Sequence, residues 1–463
     1  MDHFAAFERK MIDAGLGAAV IRAFQRNYQS LVRNETGMIP ESSIEPAENL
    51  PSIENIGVDR QAGPQFLAEA VVIKLNGGLG TSMGLQGPKS LLSVRKGVTF
   101  LDLMARQVLN LRKSGGTPVR MLLMNSFSTS HETLSYLKKY QNEGLANASE
   151  VELMQNRIPK IDAKTLLPAA WASDPDLEWC PPGHGDLYPA LVGSGWLDRL
   201  LSEGVKYAFV SNSDNLGAIL DPAILAHFAD SGAPFLMEVT RRTSADRKGG
   251  HLAVRRSDHR LLLREVAQCP EVDLENFQDI ERHRYFNTNS LWLRLDALKE
   301  QLAKDGGSLP LPMIRNSKTV DPRDNTSTPV IQLETAMGAA IECFAGAAAI
   351  EVPRSRFAPV KTTADLLALR SDAYQIHENG QVNLAISRGG IPPAITLSEE
   401  YKLVDQTDQL GLPSLLGCNS LEIKGAFRFE PGVILQGDVT FENSRPDTYL
   451  IKAGIYRDQS LLV

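Results

Sequence analysis

Long apolar runs are missing from this chain, and none approaches the ~20 residues needed to cross a bilayer. Cysteine is scarce: Cys180, Cys269, Cys343 and Cys418 stand far apart, form no metal-binding or redox pair, and read as reduced thiols. Positive charge is in deficit too, with 48 Lys and Arg against 55 Asp and Glu, a net −7. That balance argues against whole-surface affinity for nucleic acid or an acidic membrane, while leaving room for a local basic pocket. The opening Met-Asp-His-Phe lacks the basic start and apolar run of a signal peptide. The expectation is a soluble cytoplasmic protein with neither nucleic acid nor membrane as partner.

What is present is ordinary globular material, 43% hydrophobic and 22% charged. At 463 residues the chain can fill two or three domains. Phe7, Met11, Leu16, Val20, Phe24, Tyr28 and Leu31 recur at spacings of three to five, which predicts helix over residues 3–33. Residues 35–65, rich in Pro, Gly, Glu and Asn, read as an irregular connector. From 71 to about 385, short apolar strands alternate with helical segments. Val119–Met124 and Lys206–Val210 are strand-like, as are Phe235–Thr240 and Leu252–Val254; Ser130–Tyr140 and Gly193–Glu203 are helix-like. The alternation implies an α/β fold with a largely parallel sheet and ligand loops at the carboxyl ends of its strands. Near the end, Leu421, Phe427, Val433 and Val439 recur every six residues, as do Ile423, Phe429, Leu435 and Phe441. Hexads suit a parallel β-helix, and on these residues alone a pair of amphipathic strands fits equally well.

The densest chemistry lies in residues 71–90. A β-branched run from Val71 to Leu75 leads into a loop with glycines at 77, 78, 80, 84 and 87. Glycine permits positive φ and close backbone approach, so successive N–H groups can converge on a phosphate. Lys89 follows as a point charge. A Walker loop fails here because Pro88 precedes the lysine, and the dinucleotide fingerprint fails because its third glycine falls on Met83. Two further segments carry candidates. Pro181-Pro182-Gly183-His184-Gly185-Asp186 is either a turn with an exposed histidine or one whose glycines open backbone and imidazole to a substrate. Asp214, in Ser211-Asn212-Ser213-Asp214-Asn215-Leu216-Gly217 after an apolar strand, is either part of an Asx turn or a carboxylate for Mg²⁺.

The run Leu75-Asn76-Gly77-Gly78-Leu79-Gly80-Thr81-Ser82-Met83-Gly84, followed by Gly87-Pro88-Lys89-Ser90, resembles the signature of the eukaryotic-type UTP–glucose-1-phosphate uridylyltransferase family. Bacterial-type nucleotidyltransferases carry a shorter Gly-Gly-x-Gly-Thr-Arg loop, and this chain has Thr81-Ser82-Met83 where the arginine would sit. Further matches follow in family order: Gln155 before Ile158-Pro159, Gly183-His184-Gly185-Asp186, Asn212 to Ala218, Lys248-Gly249-Gly250, Glu265, Phe286 to Asn289, Gln332 to Ala336, and Pro353 to Thr363. Ser213 and Met337 depart from the usual pattern without removing a group that the chemistry needs.

The resemblance implies a Rossmann-like nucleotidyltransferase domain with a mostly parallel sheet over residues 66–385. A helical N-terminal segment (1–65) would precede it and a left-handed β-helix (386–463) would follow. It implies UTP and glucose 1-phosphate as substrates, Mg²⁺ as cofactor, and a tail whose few hexads leave a homo-oligomer an open expectation. It assigns Leu75, Asn76, Gly77, Gly78, Gln155, Gly183, Asn212 and Asp214 to the nucleotide, with Asp214 also on the metal. His184, Gly250, Glu265, Asn287 and Asn289 fall to the sugar phosphate, and Lys89 and Lys361 are the cations expected to act in catalysis. Two readings compete with glucose 1-phosphate uridylylation. One is the same chemistry on another sugar 1-phosphate, either an N-acetylhexosamine or a broad range of monosaccharides. The other is a non-catalytic nucleotide-sugar sensor, which the presence of Lys89, Asp214 and Lys361 disfavours. A dehydrogenase is disfavoured by Met83.

Overall fold

The computed structural model describes residues 3–56 and 63–463; part of the expected connector, 57–62, lies outside the described residues. Two helices open the chain, α1 (Phe4–Asp13) and α2 (Ala18–Val32), separated at Gly15, whose φ is +76°. The periodicity over 3–33 therefore belongs to a helical hairpin. Phe7, Phe24 and Tyr28 pack ring to ring in its interior, with Phe7 and Tyr28 centroids 4.8 Å apart. The hairpin's apolar face covers Ile158, Ile161, Cys180, Met313, Ile331 and Leu333. It thereby backs a three-stranded sheet that includes residues 313–319 and 329–335.

The centre is a ten-stranded sheet. In chain order its strands are β1 (Ile44–Pro46), β2 (Ala70–Asn76), β3 (Arg120–Asn125), β4 (Glu152–Met154), β5 (Tyr207–Asn212), β6 (Phe235–Arg241), β7 (His251–Arg255), β8 (Leu261–Arg264), β9 (Tyr285–Arg294) and β10 (Ala348–Glu351). The run β5-β2-β3-β4 is parallel throughout, so the chain leaves β2, β3 and β5 on one side. Antiparallel β9 joins β5 to β6 and carries the sheet onward to β7, β8 and β1. The expected strands all form. The difference lies at Phe286-Asn287-Thr288-Asn289, which sits inside a continuous strand. Its register against β6 shifts between Glu238 and Val239, and Asn289 takes φ +60°, so a bulge re-aims one side chain there.

Both faces of β2 are covered, which is why its sequence is apolar on both sides rather than alternating, with Lys74 its one charged residue. Val71 and Ile73 join a core with Val210, Met237 and Leu291; Ala70 and Val72 join another with Phe209, Leu236, Trp292 and helix α3 (Phe100–Gly115). All four cysteines are free and buried. No helix among the described residues is long and apolar enough to cross a membrane.

The tail is built on parallel ladders. Strands β11 (Ala394–Leu397), β12 (Ser414–Lys424), β13 (Val433–Glu442) and β14 (Gly454–Leu462) pair in that order, all parallel. Leu421 stands opposite Val439 and Ile423 opposite Phe441, so a step between ladders is a whole number of hexads. Every hexad residue is buried, and Leu367 and Ala373 from ahead of the tail complete the same cluster. A pair of amphipathic strands does not describe this stack.

Candidate active site

Three parallel strands deliver their carboxyl ends to one place. Asn76 and Asn125 are register partners at the ends of β2 and β3, and Asn76 Nδ2 donates to Asn125 Oδ1 at 2.7 Å. The glycine loop begins there. Only Gly84 has positive φ, +79°, among its five glycines. Gly77, Gly80 and Gly87 serve close packing, whereas a Cβ on Gly78 would meet nothing within 4 Å: a Cβ on Gly77 would lie 2.6 Å from Gln155 Oε1, and on Gly87 2.6 Å from Glu132 Oε2. Of the two expected uses of glycine, positive φ is found at Gly84 alone, and neighbouring side chains occupy the Cβ positions at Gly77, Gly80 and Gly87. At Gly84 that neighbour is Leu403, which brings the tail against the loop.

Gln155 joins two of the expected nucleotide segments. Its backbone N–H donates to Asn125 O at 2.7 Å, and its Nε2 donates to Gly183 O at 3.1 Å while its Oε1 faces Gly77. Gly183 has φ +79°, and a Cβ there would sit 2.5 Å from Thr335 O; one on Gly185 would collide with Thr335 as well. These glycines let the turn nest against the strand of residues 329–335.

His184 is held by its backbone neighbourhood. The Met337 N–H donates to His184 Nδ1 at 3.0 Å, so the neutral ring carries its proton on Nε2. Burial pushes this histidine down to about 4 from an ordinary 6.5. Next to it, burial pushes the Asp186 carboxyl up to about 7, opposed by Asn156, whose backbone N–H and Nδ2 donate to it at 2.7 and 3.0 Å. Between about pH 4 and 6.5 the unfolded chain holds a proton on His184 that the folded protein excludes. Stability from this residue is therefore complete above 6.5 and is lost as the pH falls toward 4. Urea midpoints measured across that window should fall less steeply in His184→Asn than in the parent; equal slopes would assign the titration to another group.

Asp214 follows β5. Its Oδ2 takes an ion pair from Lys89 Nζ at 2.8 Å, and its Oδ1 is buried without a partner. The loop is stapled sideways. Val360 N–H donates to Asp214 O at 3.0 Å, Asn215 Oδ1 accepts from Gly217 and Ala358 N–H, and Asn215 Nδ2 donates to Arg356 O. This staple brings Lys361, the next residue, alongside the loop. Lys361 is exposed, with Nζ 5.9 Å from the Phe357 ring centroid, and its backbone N–H is held by the Asp365 carboxylate at 2.8 Å.

The remaining expected residues close the other side. Asn287 N–H donates to Gly250 O at 3.1 Å, and a Cβ on Gly250 would lie 2.5 Å from Glu265 Oε2. Burial raises the Glu265 carboxyl above its ordinary range, and the field of Lys361 opposes that rise. The bulge at Asn289 lets its Nδ2 donate to Asn212 Oδ1 at 3.2 Å, linking this group to the end of β5. Gln155, Gly77 and Gly183 thus form one group, Lys89, Asp214 and the Lys361 segment a second, and Asn212, Asn289, Asn287 and Gly250 a third.

Lys74 and Glu238 escape sequence reasoning, and Arg356 falls in the Pro353–Thr363 match without a role; all three lie buried beneath these groups. The one available signal was Lys74 itself, a charge inside an otherwise apolar buried strand.

No group of three or more His, Cys, Asp or Glu side chains that could enclose a metal occurs among the described residues. A lone carboxylate with a buried, unpartnered oxygen suits Mg²⁺, which keeps several waters and takes one or two carboxylates beside substrate phosphates.

Residues 21–436 match the family model described as UTP–glucose-1-phosphate uridylyltransferase. The chain is 43% identical to the enzyme of that name from Hordeum vulgare over 385 residues, covering 82% of this chain and 79% of that one. It is also 43% identical to the one from Saccharomyces cerevisiae, over 81% of this chain and 74% of that one. Among solved structures, a UDP-glucose pyrophosphorylase mutant from Leishmania major in complex with UDP-glucose superposes with a TM-score of 0.93 at 46% identity, covering 100% of both chains. A Trypanosoma brucei structure superposes with a TM-score of 0.90, also at 46% identity and 100% coverage of both.

Proposed function

This chain belongs to the UTP–glucose-1-phosphate uridylyltransferase family, and we propose how its residues divide the work of that nucleotidyl transfer. A phosphate oxygen of glucose 1-phosphate attacks the α-phosphorus of UTP. The bond from that phosphorus to the β-phosphate bridging oxygen breaks, and pyrophosphate leaves with the electron pair. The attacking oxygen is already anionic, so no side-chain nucleophile is required. Catalysis is positioning together with neutralisation of charge on the transferring group.

The backbone from Leu75 to Gly78, with Gln155 and Gly183, receives the nucleotide. Gly250, Glu265, Asn287 and Asn289 offer amide and carboxylate partners to sugar hydroxyls. His184, neutral and with its proton on Nε2, donates toward the sugar phosphate. Mg²⁺, when bound at Asp214, supplies positive charge to the phosphates. Lys89 exchanges its Asp214 partner for phosphate as the nucleotide arrives, and Lys361 approaches from the neighbouring staple. The observation that supports this reading most is the Lys89–Asp214 pair at the meeting of β2 and β5 with the Lys361 segment bonded alongside. Beyond residue 386, the parallel ladders are proposed to form a left-handed β-helix that serves stability or association. Domain limits are proposed at 1–65, 66–385 and 386–463.

A panel of sugar 1-phosphates against UTP, ATP and dTTP, read by pyrophosphate release, tests the assignment. UTP with glucose 1-phosphate should be fastest. Comparable rates with ATP or dTTP, or a faster rate with an N-acetylhexosamine 1-phosphate, would contradict it.

A further inference from the structure

Lys74 is 2% exposed in the middle of β2, a position where the same strand elsewhere carries valine and isoleucine. An ammonium there forgoes its hydration, and an apolar residue of similar volume often serves stability equally well or better. All its hydrogen bonds go to one object. Nζ donates to Ser211 Oγ at 2.8 Å, in the last residues of β5, and to Ala218 O at 2.6 Å, at the far end of the loop that carries Asp214. Ser211 is also its register partner across the parallel ladder. At the next carbonyl, Ile219 O, Arg356 donates at 2.8 Å. Arg356 is itself held by a two-oxygen pair with Glu238, at 2.8 and 2.7 Å, and Trp292 Nε1 donates to the same carboxylate at 2.9 Å. Arg356 Nη1 also lies 4.0 Å from Asp221 Oδ2, so Glu238 and Asp221 both face Arg356 beneath the loop, and neither carboxylate pairs directly with Lys74 among the described residues. Lys74 is the cation with no ion pair of its own there.

We propose that Lys74 is a positioning residue: its buried Nζ ties the end of β5, at Ser211, to the far end of the Asp214 loop, at Ala218, so that the Asp214 carboxylate is presented at a fixed place to a divalent cation. The inference rests on the reading of Asp214 as the metal carboxylate. Burial, and after it the nearby Arg356, push Lys74 down to about 7, while Glu238 opposes them. The staple survives either charge state, since a neutral amine still donates to Ala218 O and accepts from the Ser211 hydroxyl. The same Arg356 that caps the loop accepts from Asn215 through its carbonyl and leads into Lys361, so one buried cluster sets both sides of the phosphate site.

The test compares Lys74→Met, Ser211→Ala and Asp214→Asn. Metal binding is read as Mn²⁺ dissociation from the enzyme–UTP complex by paramagnetic resonance, fold as the thermal midpoint, and the rest of the site as UDP-glucose binding without metal. Loss of a residue that orients a metal ligand typically costs 10–100-fold in metal affinity. Lys74→Met should weaken Mn²⁺ about tenfold or more and lower kcat, with the thermal midpoint held or raised and UDP-glucose binding unchanged. Ser211→Ala, a change of one oxygen, should shift Mn²⁺ affinity in the same direction by less. Unchanged Mn²⁺ affinity in Lys74→Met, with Asp214→Asn strongly weakened, would overturn the proposal and leave the metal reading standing. A fall in midpoint and in UDP-glucose binding together, with no effect in Ser211→Ala, would overturn it in favour of a purely structural lysine. Undiminished Mn²⁺ affinity in Asp214→Asn would remove the metal reading and this inference with it.

Discussion

Asp214→Asn should lower metal-dependent turnover by at least about a hundredfold while leaving the protein folded, because removing one preorganised electrostatic contact at a reacting centre costs ~10²–10³. The substitution keeps the side chain's shape and exchanges a charged oxygen for an amide. It leaves the loop's own bonds intact, since Val360 is held by the Asp214 carbonyl and Asn215 makes the sideways contacts. What it removes is the anion that pairs with Lys89 and the buried Oδ1 that has no other partner. The check is the Mg²⁺ dependence of pyrophosphate release beside a thermal unfolding curve. A folded variant with near-parent turnover would move the metal site elsewhere.

Lys361→Ala carries the second large effect. The side chain is exposed and makes no ion pair within 4 Å among the described residues, so its loss should hardly touch stability. In the proposed reaction negative charge moves from the α-phosphate region to the departing pyrophosphate, and an ammonium placed where that charge develops lowers the barrier. The expected loss is ~10²–10³ in kcat, with kcat/KM falling in step. Steady-state kinetics separate this from simple binding. An unchanged kcat with a raised KM for UTP would show that Lys361 only holds the substrate.

Much of this site is legible in sequence because strand ends are. An apolar run followed by Asn, Gly or Asp marks where a parallel strand hands the chain to a loop, and Leu75-Asn76, Asn125 and Asn212 all end strands that meet. The hexads are legible for a similar reason, since a stacked ladder repeats its inward residues at a fixed step. Other features depend on distant partners. Gly77, Gly183 and Gly185 are needed for close approach to Gln155 and Thr335, which no local pattern announces. Thr288 and Asn289 form a bulge inside a long strand, a conformation set by pairing with β6. Lys74 and Arg356 converge on the Asp214 loop only through the folded sheet, and Glu238 joins them from a strand beyond β9. The break at Gly15 is local and visible, but a run of helical spacings on both sides hides it.

The central claim is that uridylyl transfer is direct, with charge neutralisation and no covalent intermediate on the protein. The measurement that tests it most directly is exchange of labelled pyrophosphate into UTP in the complete absence of glucose 1-phosphate and UDP-glucose. Direct attack by the sugar phosphate predicts no exchange until one of those sugars is added. Exchange without them, at a rate comparable to turnover, would require a uridylylated side chain and would contradict the account.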